Sequence, residues 1–434
     1  MRLLRKLRCW RQERGQVVII MAVTATALVG LIGLVVDGGH FYAQRRQAQN
    51  AADAAALAGA FRLYEGESAA VATSAAFDYA QQNGYGGEDV VTVNIPPLSG
   101  EHVGDPLYVE AIVEEEPDSF FIHVVLTASK KVKGRAVAGI AAIPKDYAIL
   151  VLDHDDCDAF LQGGSGDLYV QGGGIMVNSD CPDMAFHKEG TASQIVADGD
   201  IDVHGGCTIS DPDLVTPDPN CSVPFTTPDP FADLEPPFDA ANPPPSPPDP
   251  APHSPGTPDA PQTWLITETR TIQPGVYYGG LRLEGGGTIT LEPGIYVMAG
   301  GGFTKKGNIV VQGSEVLIYA TYNPYNPTGD GEGKPFLLEG TGTIDLIAHT
   351  SGPYEDILFW QDEAITDTFR HAGNAEASVG IIYVPGATLE AAGGARIGST
   401  QIIARDFYKT GSTPATITYH NFVDLTGPLV FLVE

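Results

Sequence analysis

The feature that most constrains this chain is Val17–Val36, twenty consecutive residues with neither a charge nor a proline. As a helix rising about 1.5 Å per residue, such a run covers the roughly 30 Å hydrocarbon core of a bilayer. Ahead of it stand Arg2, Arg5, Lys6, Arg8, Arg11 and Arg14 against the single acid Glu13. A basic flank beside a span stays in the cytoplasm, so the N-terminus is expected inside and everything after Val36 outside. The chain holds 24 basic and 54 acidic residues, and the 18 and 53 that follow the run give positions 37–434 a net charge of −35. Such a body does not suit nucleic acid, whose phosphates are bound through Lys and Arg. A cleaved signal peptide is the competing reading, but its apolar core is usually about 7–15 residues and ends at small residues. Here the run is longer and passes into Asp37-Gly38-Gly39-His40. It is expected to stay as a single-pass cell-membrane anchor, with the lipid bilayer as its partner. Ala22, Thr26 and Gly30 recur every four residues along it, a spacing of small residues that lets helices approach closely.

The order of segments follows from local pattern. After a cytoplasmic basic tail (1–16) and the transmembrane helix (17–36), the helix is expected to continue to about Leu63. Ala51–Ala60 is Ala-rich and contains no proline, and Ala has the highest helix propensity. Asp53, a lone charge in that stretch, reads as capping or solvating one side of a packed helix. A second helix is expected over Ser68–Asn83, stopped by Gly84, Gly86 and Gly87. Period-two strands follow at Val90–Ile95 and Leu107–Val113, then an apolar piece, Ser119–Ala128, leading into Lys131–Ile140. Residues 37–143 therefore read as a helical and α+β stalk base.

Arg14-Gly15-Gln16, the apolar span, Val36-Asp37-Gly38-Gly39, Gln44-Arg45-Arg46 and Gln49-Asn50-Ala51-Ala52-Asp53-Ala54-Ala55-Ala56-Leu57-Ala58 together resemble the N-terminal module of TadE/TadG-like Flp pilus-assembly proteins. The resemblance is specific over about 14–60. It implies a bitopic envelope protein with a structural or adhesive role in a Tad/Flp-type pilus or secretion assembly, with that machinery and other cell-envelope components as partners. Two departures qualify it. Members cut by a prepilin peptidase carry Glu at the fifth position after the cleavage Gly, where this chain has Ile20 after Gly15, so processing is not expected. Longer members continue into a von Willebrand A domain opening on D-x-S-x-S. Here Asp153 is followed by Asp155 and Cys157 in the serine positions, and no A domain is expected.

The remainder reads as mainly β. Short alternating strands with Gly turns occupy 144–210, the first part of the β-rich domain. Of 33 prolines, 18 fall in 211–262, which reads as a Pro-rich linker or insertion, extended and solvated. Over 263–434 an internal repeat appears. Pro274-Gly275-Val276-Tyr277 recurs as Pro293-Gly294-Ile295-Tyr296, and Gly287-Thr288-Ile289-Thr290-Leu291 recurs as Gly307-Asn308-Ile309-Val310-Val311. A drifting period near 20 with inward aliphatics points to a right-handed β-solenoid, the alternative being a β-sandwich.

Groups able to carry chemistry are few. Cys9 lies in the cytoplasmic tail, whereas Cys157, Cys181, Cys207 and Cys221 are expected outside, where disulfides form. Their three pairings are indistinguishable from sequence. His154-x-x-Cys157 and His204-x-x-Cys207 have zinc-ligand character, but oxidation is the favoured fate outside the membrane. Asp153, Asp155, Asp156 and Asp158 lack the glycine and distant Glu of a calcium loop and read as an acidic turn. Glu355, Asp356, Asp362, Glu363, Arg370 and His371 are the nearest thing to an acid–base groove, yet nothing fixes a reacting geometry. No catalytic, cofactor or metal site is expected, and the chain is expected not to be an enzyme. The competing function is an extracytoplasmic carbohydrate-active enzyme or polysaccharide-binding module built on the same solenoid.

Overall fold

The computed structural model of the chain describes residues 14–87, 89–116, 131–372, 374–375 and 378–433. Cys9, the tail ahead of Arg14 and the apolar piece 119–128 lie outside them. The chain divides into two compact units, Met1–Ala142 with Pro428–Glu434, and Ile143–Gly427.

In the first unit one uninterrupted helix, α1 (Arg14–Tyr64), runs through both the apolar run and the Ala-rich stretch. Its two halves differ in surroundings. Side chains from Val17 to Val36 are largely exposed, while Ala48, Ala51, Ala52, Ala55, Ala56 and Ala60 are completely buried. They pack on α2 (Ala69–Gln82), through its Ala72, Ala76 and Ala80, and on a sheet ordered Val91–Asn94, Tyr108–Glu115, Val132–Lys145, Leu425–Leu432. Ser68 caps α2, its hydroxyl accepting from the Val71 N–H at 3.4 Å. Small side chains let the backbones nearly touch. A Cβ on Gly59 would lie 2.9 Å from Val109 Cγ1, and one on Gly134 would run into the Ala48 carbonyl.

The C-terminus departs from expectation. Sequence pattern places 263–434 in the repeats, but Leu425–Leu432 joins this four-stranded sheet and the Val433 N–H donates to Val137 O at 2.8 Å. An open strand edge leaves a row of unpaired backbone groups. The returning strand satisfies them on Val132–Lys145, and Val430 packs against the alanine core.

The second unit is mainly β, and every strand pairing in it is parallel among the described residues. Eighteen strands form one sheet. One ladder in it runs, in spatial order, Asn220–Cys221, Ile201–Val203, Gly174–Val177, Tyr147–Val151, Ile402–Thr410, Ile381–Ala392, Ile357–Gln361, Val316–Thr321, Gly294–Ala299, Gly275–Tyr278. The chain therefore starts mid-ladder at Tyr147–Val151, builds to one end at Asn220–Cys221, restarts at the far end, and returns until Ile402 pairs with Ile149. The P-G-[VI]-Y repeat has a clear local reason. Gly275 and Gly294 sit at φ +142° and +141°, a region that favours glycine. The hydroxyls of Tyr277 and Tyr296 donate to the carbonyls four residues back, on Gln273 and Glu292. The pairing register differs from the sequence offset: Val276 pairs with Val297, not Ile295. A shift of two residues keeps every side chain on its own face, so sequence similarity cannot detect it.

The Pro-rich stretch is largely exposed or half-buried, as its composition suggests, but it is docked rather than free. It bridges the two ends of the ladder along its length. Val223 N–H donates to Val203 O, Thr227 and Asn178 exchange two hydrogen bonds, and Asp229 accepts from the Tyr383 hydroxyl. Phe238 and Ala240 are then buried, and Pro250 bridges to Val276 in the last strand. An extended proline-rich backbone makes no internal hydrogen bonds, so its carbonyls need outside donors. Tyr325, Tyr278 and Asn323 supply them to Pro244, Pro248 and Pro258, at 2.8, 2.9 and 2.8 Å.

Candidate functional site

Two regions combine geometry with chemistry, one in each unit. In the first, Ala22, Thr26 and Gly30 lie on the exposed part of α1; Thr26 Oγ1 bonds back to Ala22 O at 2.9 Å, and a Cβ added at Gly30 would meet nothing within 4 Å beyond its own helical backbone. By length and composition α1 can cross a membrane. Further along, Gln49 fixes the helix to the sheet. Its side-chain amide donates to Arg135 O at 2.7 Å and accepts from Arg135 N at 3.2 Å, completing a backbone-like pair. The same Nε2 reaches Asp53 Oδ1 at 2.7 Å, which gives Asp53 a partner on its own helix. Beneath this contact Glu110 is 1% exposed. Burial pushes its carboxyl up, but donors from Ser99, Asn94, Arg135 and the Leu98 N–H outweigh that and hold it at about 2.

In the second unit the four cysteines are paired Cys157–Cys181 and Cys207–Cys221, with Cα atoms 5.3 and 5.9 Å apart. Of the two histidines with zinc-ligand spacing, His204 turns its Nδ1 to Val223 O at 2.8 Å, and the cysteines spaced from both are held in disulfides. Of the acidic turn, Asp153 and Asp156 converge with the distant Asp406, and Arg405 reaches all three at 3.3, 3.6 and 3.0 Å. A guanidinium is thus the cation of that corner. Burial first, then the two neighbouring carboxylates, raises Asp406 to about 6 despite Arg405.

The six residues imagined as an acid–base groove are scattered. Glu355–Asp356 and Asp362–Glu363 flank opposite ends of the strand Ile357–Gln361. At about 3.3 Å per residue that separates Asp356 from Asp362 by roughly 20 Å, far beyond the ~9.5 Å upper spacing of glycosidase carboxylates. Arg370 points to Glu339 and Glu390 on the surface, whereas His371 is fully buried. A different constellation does form. Asp362 and Glu363 join Asp239 of the Pro-rich strap in a cleft of about 200 Å³ whose walls include Phe231, Tyr322 and Trp360.

The alanine seam and the apolar helix that leads into it coincide with a family segment. Residues 15–62 match the Flp pilus-assembly TadE/G-like family model. No curated protein and no solved structure matches the chain. The TadE/G-like segment is thus α1 almost entire, and the β-rich unit lies beyond it.

One pattern in that unit escaped sequence reading. Phe160, Phe186, Phe303, Phe336, Phe369 and Phe407 occupy equivalent positions in a second ladder, each two residues before Gln162, Lys188, Lys305, Leu338, His371 and Lys409. Adjacent rings lie close, 4.5 Å for Phe160–Phe186 and 4.9 Å for Phe336–Phe369. The three lysines are fully buried, yet each Nζ donates to a backbone carbonyl, on Gly190, Gly342 and Thr410 respectively. Burial lowers all three ammonium groups and takes His371 to about 4. The signal is a tripeptide, F-x-[KHQ], present at five of these six positions (Phe336 is followed by Leu337-Leu338) and recurring at intervals too uneven for a period search.

Proposed function

We propose that this protein is a single-pass component of a Tad/Flp-type pilus or secretion assembly, with its N-terminus cytoplasmic and its acidic β-rich body held outside in a structural or adhesive role. The observation that carries the reading is that the TadE/G-like match coincides with a helix able to span a bilayer, followed directly by the Ala seam. The basic residues before Val17 favour the inside for the N-terminus. The two disulfides suit an oxidising compartment. We propose a β-solenoid for the body. In support, strands pair in parallel with strands further along, as Leu281 does with Phe303 and Ile295 with Leu317, whereas sandwiches are built from antiparallel strands. No catalytic role is proposed, since the acids weighed for one are divided between strand ends.

External protease on spheroplasts should remove the body while an N-terminal tag stays protected, and crosslinking should recover pilus-machinery proteins. Protection of the body, or recovery of none of that machinery, would refute the reading. The exposed Ala22–Thr26–Gly30 face is proposed as the contact within the membrane. Gly30→Leu should cut intramembrane crosslinking severalfold by adding bulk where close approach is needed; unchanged crosslinks to all partners would remove this face from consideration.

A further inference from the structure

The cleft between the Pro-rich strap and the strand Ile357–Gln361 has a composition that selects a ligand. Asp239, Asp362 and Glu363 contribute three carboxylates, and none of its lining residues is basic. Each of the first two is held in place from behind. Asp239 accepts from the Ala241 and Asn242 N–H groups and from Asn242 Nδ2, each at 2.9 Å, which lowers its carboxyl. Asp362 accepts from Tyr319 and Thr321, both at 2.6 Å. The resulting negative field is felt by neighbouring phenols: after burial, Asp362 and Asp239 are what push the Tyr322 hydroxyl up. Alongside stand aromatic walls, with Trp360 against Tyr319 and Tyr383 at centroid distances of 5.2 and 5.5 Å, and Phe231 against Tyr383 at 5.1 Å.

We propose that this cleft takes the cationic head of one lysine or arginine side chain presented by a partner protein. Carboxylates beside aromatic rings stabilise an ammonium or guanidinium by Coulomb attraction and by the ring quadrupole together. At about 200 Å³ the space is below the roughly 300–1,000 Å³ of pockets for whole small molecules, and it suits a single side chain better than a run of sugar rings. An anionic ligand is disfavoured by all three carboxylates. A bare calcium ion needs about 6–8 oxygens around it, which an aromatic wall does not offer. The strap supplies part of each wall, so the site exists only where the Pro-rich segment is docked. The inference does not depend on the membrane reading.

The test uses the full chain in detergent, with Trp10→Phe and Trp264→Phe leaving Trp360 as the fluorescent reporter. N-acetyl-arginine amide and N-acetyl-lysine amide are titrated beside N-acetyl-citrulline amide and maltohexaose. A saturable response to the two cations alone is expected, weakened about tenfold when Asp239→Asn and Glu363→Gln remove two charges together. Ala232→Arg, at an exposed position on the rim, should abolish the response by filling the cleft from within. No saturable response, an equal response to citrulline, a response to the saccharide alone, or full retention in the double variant would each overturn the proposal. Unchanged circular dichroism of the variants separates these outcomes from misfolding.

Discussion

Phe336→Ala is expected to destabilise the β-rich unit by about 3–5 kcal/mol, the range for removing a buried phenyl ring from a packed core. Phe336 is fully buried and its ring meets three others, Phe369 at 4.9 Å, Phe359 at 5.3 Å and Phe303 at 6.3 Å. The neighbours cannot collapse into the space, because each is pinned by parallel pairing of its own strand. The local consequence should be visible as lost hydrogen-exchange protection in Phe303–Lys305 and Phe369–His371. Protection in the wild-type range at those strands would show that the column contributes little.

Glu110→Gln is expected to loosen the sheet beneath α1 by about 3 kcal/mol at neutral pH. Glu110 is buried and held at about 2, against an ordinary value of 4.5, and each unit of such a shift is worth about 1.4 kcal/mol. The amide cannot satisfy both sets of donors: with its oxygen kept on Arg135 Nε, at 2.7 Å in the wild type, and on Ser99 Oγ, its NH₂ group would face the Asn94 amide and the Leu98 N–H, themselves donors. Since the folded value lies below the unfolded one, the stabilisation is complete above about 4.5 and is lost as pH falls from there through about 2. Hydrogen exchange in Tyr108–Glu115 should thus depend on pH across that window in the wild type and much less in the variant. Equal pH dependence in both would assign the acid sensitivity to other groups.

Much of the first unit was legible because its signals are local. A charge-free run of sufficient length, a basic flank and an alanine-rich continuation specify one rod without reference to anything distant, and α1 runs to Tyr64. The cleft was not legible. Asp239 and Asp362 are 123 positions apart, and one of them lies in a segment whose composition argued for solvation. Proline content predicts an extended backbone correctly, but whether that backbone is wet depends on donors elsewhere, here Tyr278, Asn323 and Tyr325. The F-x-[KHQ] tripeptides were hidden for a related reason: a lysine reads as surface unless one knows that a carbonyl waits for its Nζ at the next corner.

The sequence by itself determined the membrane-compatible helix, its family resemblance, the β character of the body and the residue faces of its repeats, since these follow from propensity and periodicity along neighbouring positions. Only the tertiary structure decided that the chain's first and last repeat strands meet mid-ladder at Ile149 and Ile402, that the final strand returns to the first unit, and that the Pro-rich stretch lies along the ladder as a strap. Those are long-range pairings between backbone groups that every residue carries alike. Which edge meets which is settled by unpaired hydrogen bonds and buried rings in three dimensions, and no local pattern encodes it.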